Sequence, residues 1–259
     1  MQATLLTIAY DGTNYAGWQR QNNAITVQQK IEEALAIILG QSTSIKGASR
    51  TDAGVHALGQ RAVFATDKLK IPLSKLPKVI NSFLPTDIAV KYAKTVGLDF
   101  NPRFGATYKT YHYNIYNSPT PCPINSRFSA YIDRPLDITT MEEAAKHFVG
   151  RHDFAAFMAT GSNAKTTTRE IYHCNIAETS KNLITLQITG NAFLYNMVRI
   201  IAGTVAYVGM GKISPQDIPS IIAQKNRKNA GKTMPAEGLT LINVEYSGQI
   251  PINMINSVR

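Results

Sequence analysis

The segment G-A-S-R-T-D-A-G-V-H-A-L-G-Q, residues 47–60, constrains this chain more than any other. It sets Arg50, Asp52 and His56 among glycines and small residues. It has neither an apolar stripe at helical spacing nor a strict alternation, so it has no face of its own to bury. The chain on either side must supply the scaffold that holds it. Glycines let backbone approach closely, and charges beside them suit a ligand better than a core. Asp52, between Thr51 and Ala53-Gly54, is the residue best placed for chemistry. A plain Asx turn, with Asp52 bonding its own backbone before Gly54, is the simpler alternative. Such a turn has no need of Ser49, Arg50, Thr51 or His56.

The flanking sequence supplies scaffold in both halves. Residues 4–10 form a short apolar run ending at Asp11 and Gly12, a strand followed by a turn. Thr26 with Gln29 makes a capping box, and Gly40 suits the stop of that helix. Val27, Ile31, Ala34, Leu35 and Ile38 give it one buried stripe. Residues 61–66 read as a strand directly after the glycine-rich segment. Residues 73–84 look helical at Leu76, Ile80 and Phe83, with Pro77 limiting the start, and 88–96 read as a strand.

The second half repeats the mixture. Residues 106–116, rich in Tyr and Thr, read as a strand. Thr139 with Glu142 caps a helix running through Phe148 and stopped by Gly150. Residues 171–177 and 183–189 read as a strand pair around Lys181 and Asn182. Residues 191–208 read as a buried helix. Ser214-Pro215-Gln216-Asp217 starts another, with Pro219 counting against it, and 239–246 close as a strand. The expected fold class is therefore α+β, a mixed α/β arrangement of two similar lobes. They cover residues 1–105 and 106–247, with helices flanking the strands and a peripheral tail over 248–259.

With 259 residues, 44% hydrophobic and 17% charged, the chain can build such cores without disulfides. Cys122 and Cys174 form no metal pattern and read as reduced thiols of a cytoplasmic protein. The first residues lack a charged region and a long apolar run, so no signal peptide is expected. Residues 192–211 are the most membrane-like stretch. Arg199, Asn196 and three glycines interrupt it, which suits a core helix better than a span. The chain holds 27 Lys and Arg against 17 Asp and Glu, a formal net charge of +10. That excess favours a polyanionic partner such as nucleic acid.

Some chemistries find no support. The histidines at 56, 112, 147, 152 and 173 lack metal-ligand spacing, and there is no phosphate loop or dinucleotide fingerprint. Neither metal nor cofactor is expected. Asp52 is a candidate nucleophile if it stays ionised while mostly dry, and that requires a cation nearby. Arg50 is two residues away. Arg199, a lone charge in an apolar helix, itself needs an anion. The strand T-Y-K-T-Y-H-Y-N-I-Y puts Tyr111, Tyr113 and Ile115 on one face and Tyr108, His112 and Tyr116 on the other. Most of these tyrosines suit strand packing, and one at a cleft would stack on a base. Lys165 to Arg169, and Lys225, Arg227, Lys228 and Lys232, suit either a solvated face or an RNA phosphate track. The segment 10–21, with Arg20, suits a loop shaped against nucleic acid, and Trp18 suits packing.

These segments together resemble the TruA family of tRNA pseudouridine synthases. The matching blocks are Y-D-G-T-x-Y-x-G-W-Q, S-R-T-D-A-G-V-H-A, the strand holding Tyr111, H-D-F-A-A-F, N-A-F-L-Y-N-M-V-R ending at Arg199, and P-A-E-G-L-T-L. They stand in family order over nearly the whole chain. The resemblance implies the pseudouridine synthase fold, with a central mixed or antiparallel β-sheet flanked by helices, and an isomerase that needs no cofactor or metal. It would act on tRNA uridines at positions 38–40, on the 3′ side of the anticodon stem-loop, and work as a homodimer in the cytoplasm. It implies Asp52 as the catalytic aspartate and Tyr111 as the tyrosine stacked on the target uracil. It implies Arg199 as the partner of that aspartate and Arg50 as a displacer of the base. His56 and Arg20 are expected on the substrate side. Lys109 and His112 stand where relatives often carry more arginine.

Overall fold

The computed structural model describes residues 1–162 and 164–246. The expected tail, 248–259, lies outside the described residues. The chain forms two compact units: residues 1–106 with 240–246, and residues 107–239. The sequence reading ran the second lobe to residue 247, whereas the last strand groups with the first unit.

The first unit carries β1 (Gln2–Tyr10), α1 (Val27–Leu39), β2 (Lys46–Gly47), β3 (His56–Thr66), α2 (Leu76–Asn81), β4 (Ile88–Val96) and β10 (Leu239–Glu245). Its strands lie in the order β4-β1-β3-β10, with β2 also on β3. All pairs are antiparallel except β10 with β3. Thr26 caps α1 by accepting from Gln29 N–H at 3.3 Å. The capping box is only half made, because the Gln29 side chain donates to Glu33 at 2.8 Å instead. Gly40 ends α1 at φ 65°. The buried stripe closes on Leu39 rather than the expected Ile38, which is half-buried. α2 starts at Leu76 with Pro77 in its first turn, where a missing N–H costs nothing. Phe83 lies past its end and is exposed.

β3 overturns one expectation. The strand begins at His56, inside the glycine-rich segment, and not at residue 61. Most of its residues are buried whichever way they point, so no alternation marks it. Gly59 also hides it from strand propensity. A Cβ there would lie 2.3 Å from Ile242 O, so only glycine fits beside β10.

The second unit carries β5 (Tyr108–Asn117), β6 (Ala130–Ile132), α3 (Ile138–Lys146), β7 (Gly150–Asp153), β8 (Thr168–Ser180), β9 (Leu183–Gly190), α4 (Met197–Gly209) and α5 (Ile218–Gln224). The order β5-β9-β8-β7 is antiparallel throughout, and β6 runs parallel to β5. Asn182, at φ 66°, turns β8 into β9 as the sequence implied. α3 is capped by Asp137, which accepts from Thr140 N–H at 3.2 Å, rather than by Thr139. Ser214 and Asp217 form a reciprocal capping box, and Pro219 sits harmlessly in the first turn of α5. α4 starts at Met197, six residues later than the apolar run suggests. Asn196 stands in the left-handed region at φ 59° and breaks the helix there. The mixed α/β class with a mostly antiparallel sheet is the one expected. No helix of the described residues is long and apolar enough to cross a membrane.

Candidate active site

Asp52 sits half-buried in a loop held from three sides. Thr51, just before it, has its hydroxyl 2.8 Å from Tyr10 Oη, and its carbonyl accepts from Trp18 N–H at 3.1 Å. Tyr10 lies beyond an irregularity in the β1–β3 register, between Ile8 and Tyr10, a feature that re-aims side chains. Val55 N–H closes the turn on Asp52 C=O at 3.2 Å, with Gly54 at φ 80°. Upstream, Gln60 clamps Ser49: its Oε1 accepts from Ser49 N–H at 3.2 Å and its Nε2 donates to Ser49 C=O at 2.7 Å. Gln60 is fully buried.

The Y-D-G-T-N-Y-A-G-W segment is the cradle of this loop. A Cβ on Gly12 would lie 2.0 Å from Val55 O. One on Gly17, at φ 90°, would lie 2.5 Å from Thr51 O. These glycines are therefore needed for close approach of one backbone to another. Trp18 is buried, as expected, with its indole against Gly47. Tyr15 donates to Asp87 at 2.5 Å, and burial and that carboxylate push its phenol well above the usual range.

The other residues expected in this unit take different places. Arg50 is exposed. His56 is buried at the head of β3, and its Nδ1 accepts from Gly12 N–H at 3.0 Å. Asp11 Oδ1 lies 3.2 Å from the same nitrogen. The amide geometry makes that nitrogen an acceptor and so favours the tautomer protonated at Nε2. His56 thus anchors the cradle. Arg20 pairs with Glu32 of α1 at 2.8 Å, while the Arg20 side chain stays half exposed. Its backbone N–H is held by Gln28.

Tyr111 and Arg199 belong to the second unit. Tyr111 lies on the face of β5 that the alternation assigned, is 8% exposed, and meets Phe193 edge-on with ring centroids 5.1 Å apart. Arg199 sits in the first turn of α4. Its Nε donates to Met234 C=O at 2.7 Å and its Nη1 to Asn196 Oδ1 at 2.8 Å. Met234 N–H returns to Arg199 C=O at 3.2 Å. Beside it α4 and the loop after α5 touch backbone to backbone, since a Cβ on Gly203 would lie 1.9 Å from Lys232 O. Tyr113, next on the same face, donates to Pro235 C=O at 2.8 Å, and burial raises its phenol far above the usual range. Cys174 is buried and its thiol is pushed up, so it is not a reactive thiolate.

Sequence reasoning missed Gln60, Phe193 and the role of Asn196. Gln60 and Ser49 are eleven residues apart on different elements, so no local pattern joins them. Asn196 carried a visible signal, a polar residue inside an apolar run.

The family described as tRNA pseudouridine synthase matches residues 6–105 and 144–247. The tRNA pseudouridine synthase A of Ruminiclostridium cellulolyticum is 49% identical over 246 residues, covering 95% of this chain and 100% of that one. That of Caldicellulosiruptor saccharolyticus is 46% identical over the same shares. Among solved structures, an archaeal box H/ACA sRNP Nop10-Cbf5 complex gives a TM-score of 0.40 at 9% identity, over 91% of this chain and 46% of that one, too loose to argue from. On a family match through both halves and on relatives this similar and this complete, the chain belongs to the tRNA pseudouridine synthase family.

Proposed function

We propose that this protein isomerises uridine to pseudouridine on the 3′ side of the anticodon stem-loop of tRNA, with Asp52 as the nucleophile. The observation that carries the reading is the Asp52 loop, a family segment whose backbone is pinned while a carboxylate and the exposed Arg50 project from it. The reaction breaks the N1–C1′ bond, turns the base, and joins C5 to C1′. C5 loses a proton and N1 gains one, so nothing is oxidised or reduced. The uridine must leave its stack first, which costs a few kcal/mol, roughly, for unstacking and unpairing. Arg50 takes the vacated place in the stem, and Tyr111, braced by Phe193, supplies the aromatic platform. Arg199 keeps Asp52 ionised in a dry site. His56 and Arg20 serve the substrate side, His56 by holding the cradle. Three routes are open to the carboxylate: attack at C1′, addition to the base, or elimination at C2′. The working unit is a cytoplasmic homodimer.

The test maps pseudouridine by carbodiimide labelling on tRNA from a deletion strain, with and without the purified protein. Labelled stops confined to the 3′ side of the anticodon stem-loop, restored by the protein, are expected. Salt-sensitive binding with no modified base marks an RNA-binding module instead, and release of free uracil marks a hydrolase.

A further inference from the structure

A second basic site lies in the same unit as Tyr111 and Arg199. Arg151, Thr166, Thr168, Arg169, Glu170 and Asn191 line a hollow of about 400 Å³. It is built on the paired strands β7 and β8, where Arg151 stands opposite Glu170. Arg169 is locked in place. Its Nη1 donates to Thr166 C=O at 3.0 Å, Thr166 Oγ1 at 3.3 Å and Thr168 C=O at 2.6 Å. Its Nε is buried with no hydrogen-bond partner. A buried donor left over in this way points to something that the protein alone does not supply.

The charges are also unbalanced. Among the described residues no carboxylate lies within ion-pair distance of Arg151 or Arg169, although Glu170 shares the lining. Arg151 is exposed, and its side chain makes no hydrogen bond among the described residues. Asn191 has its Oδ1 pinned by Glu170 N–H at 3.0 Å and its own N–H on Glu170 C=O at 3.0 Å. Its amide nitrogen remains as a further donor into the hollow. The exposed guanidinium fork of Arg151, with the charge of Arg169 and a neutral donor in the same lining, suits a phosphate. Lys165, exposed just upstream, adds to the same field.

The place of the hollow says which phosphate. Asn191 stands two residues before Phe193, the ring that braces Tyr111, so their Cα atoms are at most about 7 Å apart. We infer that Arg151, Arg169 and Asn191 form a binding site for a backbone phosphodiester of the tRNA strand that carries the modified uridine. This rests on the proposed reaction. The site positions the strand without reading its sequence. Glu170 opposes binding and limits how tightly the product is held.

The experiment measures steady-state kinetics and direct tRNA binding by fluorescence anisotropy over a range of salt, for wild type, Arg151→Ala and Glu170→Gln. Arg151→Ala is expected to raise KM and the dissociation constant about tenfold, the size of one charge-assisted hydrogen bond, with kcat unchanged. It should also lower the salt slope by about one. Glu170→Gln should move both constants the other way, by about threefold. Both variants should melt with the wild type, because the Arg151 side chain makes no hydrogen bond or ion pair among the described residues and Glu170 holds Asn191 through its backbone. Wild-type KM and salt slope in Arg151→Ala, or weaker binding in Glu170→Gln, would overturn the site. Wild-type protein that binds tRNA with this arginine dependence yet makes no pseudouridine would sink the proposed reaction and leave the site standing.

Discussion

The Asp52 loop and the approach to α4 hold their key residues by opposite means. Around Asp52 the holding is done by others: Gln60 on Ser49, Tyr10 and Trp18 on Thr51, and two glycines that let the cradle close in. Around Arg199 the candidate residue does much of the holding itself, through Met234 C=O and Asn196. The contrast teaches where damage shows. In the first region, changes to the supports should disturb Asp52. In the second, position and function fall together when the arginine is replaced.

The largest effect should come from closing the cradle. Gly17→Ala places a Cβ 2.5 Å from Thr51 O at a backbone of φ 90°. Strain and clash together should destabilise the fold by on the order of 3 kcal/mol or more. Gly40→Ala, also left-handed but facing open space, should lose only about 1 kcal/mol. Equal melting losses for the two would break the account of the cradle.

Next is Arg199→Lys. An ammonium keeps the charge but cannot reproduce the fork that reaches Met234 and Asn196 together. Stability should fall by about 1–3 kcal/mol, the range for losing a charged hydrogen bond, and kcat should fall with it. A variant that melts as wild type while losing only activity would show that Arg199 is not part of its own support.

Gln60→Glu keeps the shape and reverses one end, setting a carboxylate oxygen against Ser49 C=O. A loss of about 1–3 kcal/mol is expected for the spoiled buried pair. The sharper readout is kinetic: kcat falls, KM for tRNA holds, and amide exchange rises over residues 49–53. If KM moves and kcat does not, Gln60 does not position Asp52.

The smallest effect belongs to a pair outside both regions. Lys225 and Asp153 meet at 2.8 Å, with side chains 57% and 28% exposed. The hydrogen bond from Lys225, and then that from Thr167, hold the Asp153 carboxyl below its usual range. A lowered carboxylate pKa adds stability above the unfolded value and loses it as pH falls through the folded one. Lys225→Ala should therefore cost at most about 0.5 kcal/mol at neutral pH, given solvent screening. The difference should vanish in acid below the carboxylate range. A gap that widened in acid would reverse the sign of this argument.

Much of this was legible in the sequence. β4 was read at its observed bounds, Ile88–Val96. α1 was read because Thr26, Gly40 and an apolar stripe agree. β3 hid its first five residues because most of them are buried whichever way they point. α4 hid its start because an apolar run does not show where Asn196 enters the left-handed region. Asp52 and Arg199 stood out as charges among glycines and apolar residues. Gln60 and Phe193 did not, since their contacts join elements far apart in sequence and need the fold to be known first.

The central claim is that Asp52 performs the covalent step while its loop is built by others. Asp52→Asn tests it most directly, using tRNA tritiated at C5 of uridine, tRNA binding by anisotropy and thermal melting side by side. The expected result is no tritium release and no pseudouridine, with tRNA affinity within about twofold of wild type because phosphate contacts dominate binding. Melting reads any loss of fold separately from the loss of activity. Retained tritium release by Asp52→Asn, in a variant that binds and folds normally, would contradict the account.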